Sequence, residues 1–187
     1  MEEYKNRIDT DYIIRLARQD EAPLLAALGT QTFSETFARD NTPQDLDEYL
    51  RKNFSPEIQS AELAQPGSLF LILAIDGAPA GYARLLDHAS EACLAESDQW
   101  NHLHPMELVR IYLLQAWTGH RLGDVLMKAC IEHAQMRGVE VLWLGVWERN
   151  ERALAFYNRW GFEAVGTHNF LLGQDRQTDT IMARRVS

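Results

Sequence analysis

The apolar positions of this 187-residue chain change period several times, and each change marks an element. Residues 12–18 (YIIRLAR) read as a first strand. Asp20 is placed to cap a helix over 21–28, which Gly29 ends, and Phe33 and Phe37 at i, i+4 start a second short helix. Segments 42–53 and 55–65 each open with a hydroxyl residue before a proline, the signature of a helix start. Leu46, Tyr49 and Leu50 form the buried face of the first. Residues 69–75 form an apolar strand, Asp76-Gly77 a hairpin turn and 79–86 the returning strand. Segment 87–105 is polar, with a short helix around 90–95. Residues 162–172 and 177–186 read as two strands joined through residues 173–176.

The stretch 106–162 organises the rest. Residues 106–113 (MELVRIYL) have strand composition, and 115–123 (QAWTGHRLG) form a polar loop with two glycines. From Leu122 the period becomes helical: Leu122, Val125, Leu126, Ala129, Cys130, His133 and Ala134 share one face, and Gly138 terminates it. The continuous apolar run 141–147 (VLWLGVW) suits a strand buried on both faces. Asn150 caps a further helix that closes at Trp160-Gly161-Phe162. Antiparallel strands on the N-terminal side with one parallel pair in the middle make an α+β fold. A helix N-terminus carries unpaired N–H groups and the positive end of the macrodipole. The loop before Leu122, with Gly119, Gly123, His120 and Arg121, is therefore a pyrophosphate-sized anion site.

Composition narrows this further. A hydrophobic content of 46% supports one domain over residues 1–187, with 1–10 as a loose leader. There is no apolar run of membrane-spanning length, and the charged N-terminus is unlike a secretory signal, so a soluble, cytoplasmic protein is expected. A net charge of −9 disfavours nucleic acid and tolerates a cationic amine. Two cysteines make no disulfide framework, and His102 with His104 makes a poor metal site, so no metal is expected.

The strand LVRIYLL, the loop TGHRLG, the run VLWLGVWERN and the segment NERALAFYNRWGF together resemble the GNAT superfamily of N-acetyltransferases, over roughly residues 12–186. The pattern N-x-x-A-x-x-F-Y-x-x-x-G-F is complete from Asn150 to Phe162, whereas Thr118 and Arg121 depart from the loop motif R/Q-x-x-G-x-G/A. The resemblance implies a mixed, mostly antiparallel sheet of six to seven strands with a central parallel pair, flanked by helices. It also implies acetyl-CoA as co-substrate, with 106–162 as the acyl-CoA-binding core. Ile111, Tyr112 and Leu113 would offer backbone groups to the pantetheine arm. Thr118, Gly119, His120, Arg121, Leu122, Gly123 and Asp124 would hold the phosphates, and Asn150 and Tyr157 would meet the arm and the sulfur. Tyr157 is then the expected general acid. The glutamate that many relatives carry five residues before the asparagine is Gly145 here. Glu107 is the expected base, on a strand face with Val109, Ile111 and Leu113, and Glu148 is the next candidate.

The expected activity is acetyl transfer to a primary amine, and the segment GTHNFLLGQDRQTDTIM is similar to the bacterial polyamine (spermidine/spermine) acetyltransferase branch. A small-molecule or peptide amine is the expected acceptor, with a homodimer left open. A non-catalytic acyl-CoA sensor or a structural or regulatory dimer of the same fold are the alternatives.

Overall fold

The computed structural model describes residues 11–172 and 175–186, so the leader and the turn residues Gly173 and Gln174 lie outside the described residues. One sheet contains β1 Tyr12–Leu16, β2 Ser68–Ile75, β3 Ala78–Asp87, β4 Pro105–Leu113, β5 Val141–Trp147, β6 Glu163–Leu172 and β7 Asp175–Arg185. Their spatial order is β1-β2-β3-β4-β5-β7-β6. Every neighbouring pair is antiparallel except β4 and β5, as expected of the α+β fold. The helices are α1 Ala22–Phe37, α2 Pro43–Asn53, α3 Pro56–Ala64, the short α4 Ala92–Ala95, α5 Leu122–Met136 and α6 Glu151–Arg159.

One face of the sheet is covered by α5 and α6. Leu122, Leu126, Met127, Cys130, Ile131 and Ala134 of α5 are buried against Leu71, Leu73, Leu108 and Leu142. The buried stripe is shifted from the expected one: Met127 and Ile131 are buried, and Val125 and His133 only half-buried. The opposite face carries α1, α2 and α3, with aromatic packing around Phe33, Phe54, Tyr82 and Tyr112.

Gly29 does not break its helix. Residues Ala22–Phe37 are one continuous α1, and a Cβ at Gly29 would overlap the Phe54 ring and approach the Tyr82 hydroxyl to 3.1 Å. Close packing, not chain reversal, uses this glycine. Nor does Asp20 cap α1. Residues 19–21 form a 3₁₀ turn, and the Glu21 carboxylate instead accepts the Arg18 N–H at 2.8 Å and both Arg15 guanidinium nitrogens at 2.6 and 2.7 Å.

A bulge in β4 decides which residues face which helices. Arg84 pairs with Arg110 but its neighbour Leu85 pairs with Leu108, leaving Val109 as the extra residue. Met106 and Leu108 before the bulge and Ile111 and Leu113 after it all pack on the α5 face. Glu107, Arg110 and Tyr112 therefore point to the other face, toward α1–α3. The expected grouping of Glu107 with Ile111 and Leu113 is corrected by this single inserted residue.

Candidate active site

The parallel pairing of β4 and β5 lasts only three positions, ending at Glu107 and Trp143. Beyond it the strands part, and a cavity of about 530 Å³ opens between them. Its two ends differ in chemistry.

The first end is made by the C-terminal end of β4, the following loop, the start of α5, and α6. Ile111, Tyr112, Leu113, Thr118, Gly119, Arg121, Gly123, Asp124, Asn150 and Tyr157, all expected site residues, line the cavity together. His120 is exposed beside Trp117, and the Leu122 side chain is buried in the core, so neither side chain lines the cavity. The loop turns through two left-handed residues, Gly119 at φ 86° and Arg121 at φ 59°. Glycine adopts this conformation freely, whereas an L side chain such as Arg121 does so at a cost of roughly 1–2 kcal/mol. The Asp124 and Val125 N–H groups return to the Arg121 carbonyl at 3.1 and 3.3 Å. Among the described residues, the N–H groups of Gly119, His120, Leu122 and Gly123 have no protein acceptor. Four unpaired donors at a helix N-terminus are suited to a phosphate group. Arg152 and Arg159 of α6, seven residues apart on one helix face, add positive charge to the lining.

Asn150 caps α6: its side chain accepts the Ala153 N–H at 3.1 Å. Asp124 Oδ1 accepts the Trp160 indole N–H at 2.9 Å, tying the end of α6 to the first turn of α5. Tyr157 lies between Phe156 and Phe162, with ring centroids 5.4 and 5.7 Å away. No group among the described residues hydrogen-bonds its hydroxyl, and burial raises its pKa, so it is a protonated phenol at neutral pH.

The second end is aromatic. Phe33 and Phe37 from α1, Tyr49 from α2, Tyr112, and Trp147 line it, with Phe33 4.5 Å from Phe37 and 4.6 Å from Tyr49 between ring centroids. Burial pushes the Tyr49 hydroxyl pKa up to about 12. Gln177 and Asp179 reach this end from β7, and Gly145 leaves β5 without a side chain opposite them.

Glu107 does not line the cavity. It lies behind the bulge on the α1–α3 face, where burial raises its pKa and the Arg84 charge opposes that rise. Glu148 is exposed beyond the end of β5 and does not line the cavity either. Among the described residues, Asp179, which sequence reasoning passed over, is the only carboxylate lining the aromatic end. The strand alternation held a signal for it, because Gln177 and Asp179 share a face with the buried Ile181 and Ala183.

A splayed parallel pair, an amide-rich loop at a helix start and a phenol thus line one cavity. The chain belongs to the acetyltransferase (GNAT) family, whose profile matches residues 30–162. An uncharacterized N-acetyltransferase from Lactobacillus delbrueckii subsp. lactis is 36% identical over 93% of this chain and 96% of its own length. The spermine/spermidine N(1)-acetyltransferase of Bacillus subtilis is 29% identical over 46% of this chain and 57% of its own. The PaiA N-acetyltransferase of Thermoplasma acidophilum, solved in complex with coenzyme A, has the same fold. It superposes with a TM-score of 0.73 at 20% identity, covering 94% of this chain and 99% of that one. The protein is an N-acetyltransferase, and among its described residues no helix is long and apolar enough to cross a membrane.

Proposed function

We propose that this chain transfers an acetyl group from acetyl-CoA to a primary amine with an apolar body. The parting of β4 and β5 after three paired positions carries the reading, because it frees an extended edge that faces the cavity. An extended amide chain such as the pantetheine arm pairs with a free strand edge, here the backbone of Ile111, Tyr112 and Leu113. Phosphates at one end of that arm meet the unpaired amides of Gly119–Gly123, with Arg152 and Arg159 beside them. The arm runs past Asn150, whose side-chain oxygen also caps α6, toward Tyr157. There the phenol donates a proton to the departing sulfur.

The acceptor follows from the other end. Its aromatic lining favours an apolar body, and one carboxylate, Asp179, matches one ammonium. A polyamine carries further cations. The remaining charged residues lining the cavity are Arg110, Arg121, Arg152 and Arg159, with Asp124 already holding Trp160. The likeness to a spermine/spermidine acetyltransferase covers less than half of the chain and leaves this preference open to direct comparison.

Calorimetry with acetyl-CoA tests the donor, and CoA thiol release with phenethylamine, spermidine and an N-terminal alanine peptide tests the acceptor. Acetyl-CoA is expected to bind, Gly119→Val to weaken it more than Arg121→Ala, and phenethylamine to turn over with the highest kcat/KM. Failure to bind acetyl-CoA overturns the reading in favour of a structural role. Binding without turnover on any amine favours a sensor. Faster turnover of spermidine overturns the acceptor class alone.

A further inference from the structure

Gly145 lies in β5 on the cavity side, where a Cβ would stand only 3.3 Å from Asp179 Oδ2 and 3.6 Å from His168 Nε2. The space that a side chain at this position would occupy is taken instead by two residues of the neighbouring strands. Asp179 of β7 is directly opposite His168 of β6 in the register. The His168 Nε2 is 3.6 Å from Asp179 Oδ2, and its Nδ1 is 3.6 Å from Glu91 Oε1. The imidazole thus bridges a carboxylate in the cavity to a second carboxylate on the segment before α4. Asp179 Oδ1 is buried and has no hydrogen-bond partner, which is costly unless a bound molecule supplies one.

We infer that Asp179 accepts the proton of the incoming amine, with His168 and Glu91 as positioning residues that pass it to solvent. This rests on the acetyl-transfer reading above and replaces Glu107 as the base. Asp179 lines the cavity, Glu107 does not, and the two are on different strands.

The proton accounting closes. The acceptor arrives as R–NH₃⁺, and Asp179 takes one proton, freeing the nitrogen lone pair. The C–N bond forms at the thioester carbonyl and the C–S bond breaks, its electron pair leaving on sulfur. The sulfur takes the Tyr157 proton, and the phenol is refilled by the second proton of the acylated nitrogen. The proton on Asp179 leaves through His168 Nε2, and Nδ1 gives one up toward Glu91. Separations of 3.6 Å exceed hydrogen-bond length by roughly 0.5 Å, within the reach of a small rotation of the ring.

Burial raises the Asp179 pKa, and His168 opposes the rise. From the facing elements, Tyr49 on α2 is a neutral phenol in electrostatic range of Asp179, and Arg110 with Glu62 is in range of Tyr49. Glu107 on β4 is in range of His168 and Glu91. Asp179 must be ionised to accept a proton, so kcat/KM falls as pH drops through its raised pKa.

Three variants test this: Asp179→Asn, His168→Gln and Glu91→Gln, each near-isosteric and measured alongside acetyl-CoA affinity. Asp179→Asn is expected to lose roughly 10²–10³-fold in kcat/KM and the acidic limb with it, at unchanged acetyl-CoA Kd. His168→Gln removes the relay partner, so kcat is expected to fall about 10-fold at unchanged acetyl-CoA Kd; Glu91→Gln gives a smaller loss. NMR of the His168 ring nitrogens needs no turnover. The Asp179→Asn substitution removes the carboxylate 3.6 Å from Nε2, and the Nε2 chemical shift is expected to move. Wild-type activity and an intact acidic limb in Asp179→Asn overturn the base alone. An unmoved His168 Nε2 chemical shift overturns the pairing. Absence of turnover in the wild-type chain on any amine overturns instead the function on which the inference rests.

Discussion

Glu62 and Asp179 are both carboxylates on the face of the sheet toward the helices, and their surroundings are opposite. Glu62 of α3 accepts from Arg84 at 2.8 Å and from two Arg110 nitrogens at 2.5 and 2.9 Å. Arg84 also donates to Gln65 at 2.7 Å, and the Arg110 guanidinium stacks 4.8 Å from the Phe54 ring centroid. Every charge in that cluster has a protein partner. Asp179 has one ion-pair contact and one buried oxygen with none. A saturated buried charge fixes an element in place, here α3 on β3 and β4. An unsaturated one is a cost to folding that a substrate can relieve.

The largest effect expected from that contrast is on stability. Glu62→Ala leaves two buried guanidiniums without their anion, and urea denaturation should show a loss of about 3–5 kcal/mol. Asp179→Asn should lose nothing at neutral pH. The raised Asp179 pKa means that its ionised form is disfavoured in the folded state. Any stability it contributes is present below the unfolded pKa and lost as pH rises through the folded one, so a neutral amide is at least as stable at pH 7. Equal destabilisation by the two substitutions would erase the distinction between them.

Tyr157 is a second unsaturated polar group in the cavity and extends the same test. Tyr157→Phe removes only the hydroxyl, which bonds no group among the described residues. Turnover should drop ~10- to 10³-fold, with folding stability and acetyl-CoA affinity nearly unchanged. Full turnover in the phenylalanine variant would make the residue a packing group between Phe156 and Phe162.

The smallest effect is expected at a saturated carboxylate nearer the surface. Glu21 is held at a pKa of about 2 by the Arg15 side chain, against burial and with help from the Arg18 backbone N–H. A depressed carboxylate contributes stability above its unfolded pKa of ~4.3 and loses it as pH falls toward the folded value. Glu21→Gln should therefore cost about 1 kcal/mol at pH 7. That difference should shrink between pH 5 and pH 2. A difference independent of pH would mean that shape, not charge, holds the end of β1 to the start of α1.

Local order in the chain was enough for most of the fold. Periodicity marked the seven strands and the α5 helix, and Asn150 through Phe162 identified α6, its cap and its phenol, because caps and helix faces depend on residues a few positions apart. The loop around Gly119 was legible for the same reason. What the sequence could not decide were the places where distant segments meet. Gly29 reads as a helix break until Phe54 is seen to fill the space above it. Glu107 reads as sharing a face with Ile111 and Leu113 until the Val109 bulge reverses the alternation of β4, and a bulge is set by the pairing partner on β3. Gly145 reads as a missing base, yet the carboxylate that fills its place comes from Asp179, 34 positions further along the chain. Only the register between β5, β6 and β7 brings Gly145, His168 and Asp179 within 4 Å of one another, and strand register is a property of the sheet.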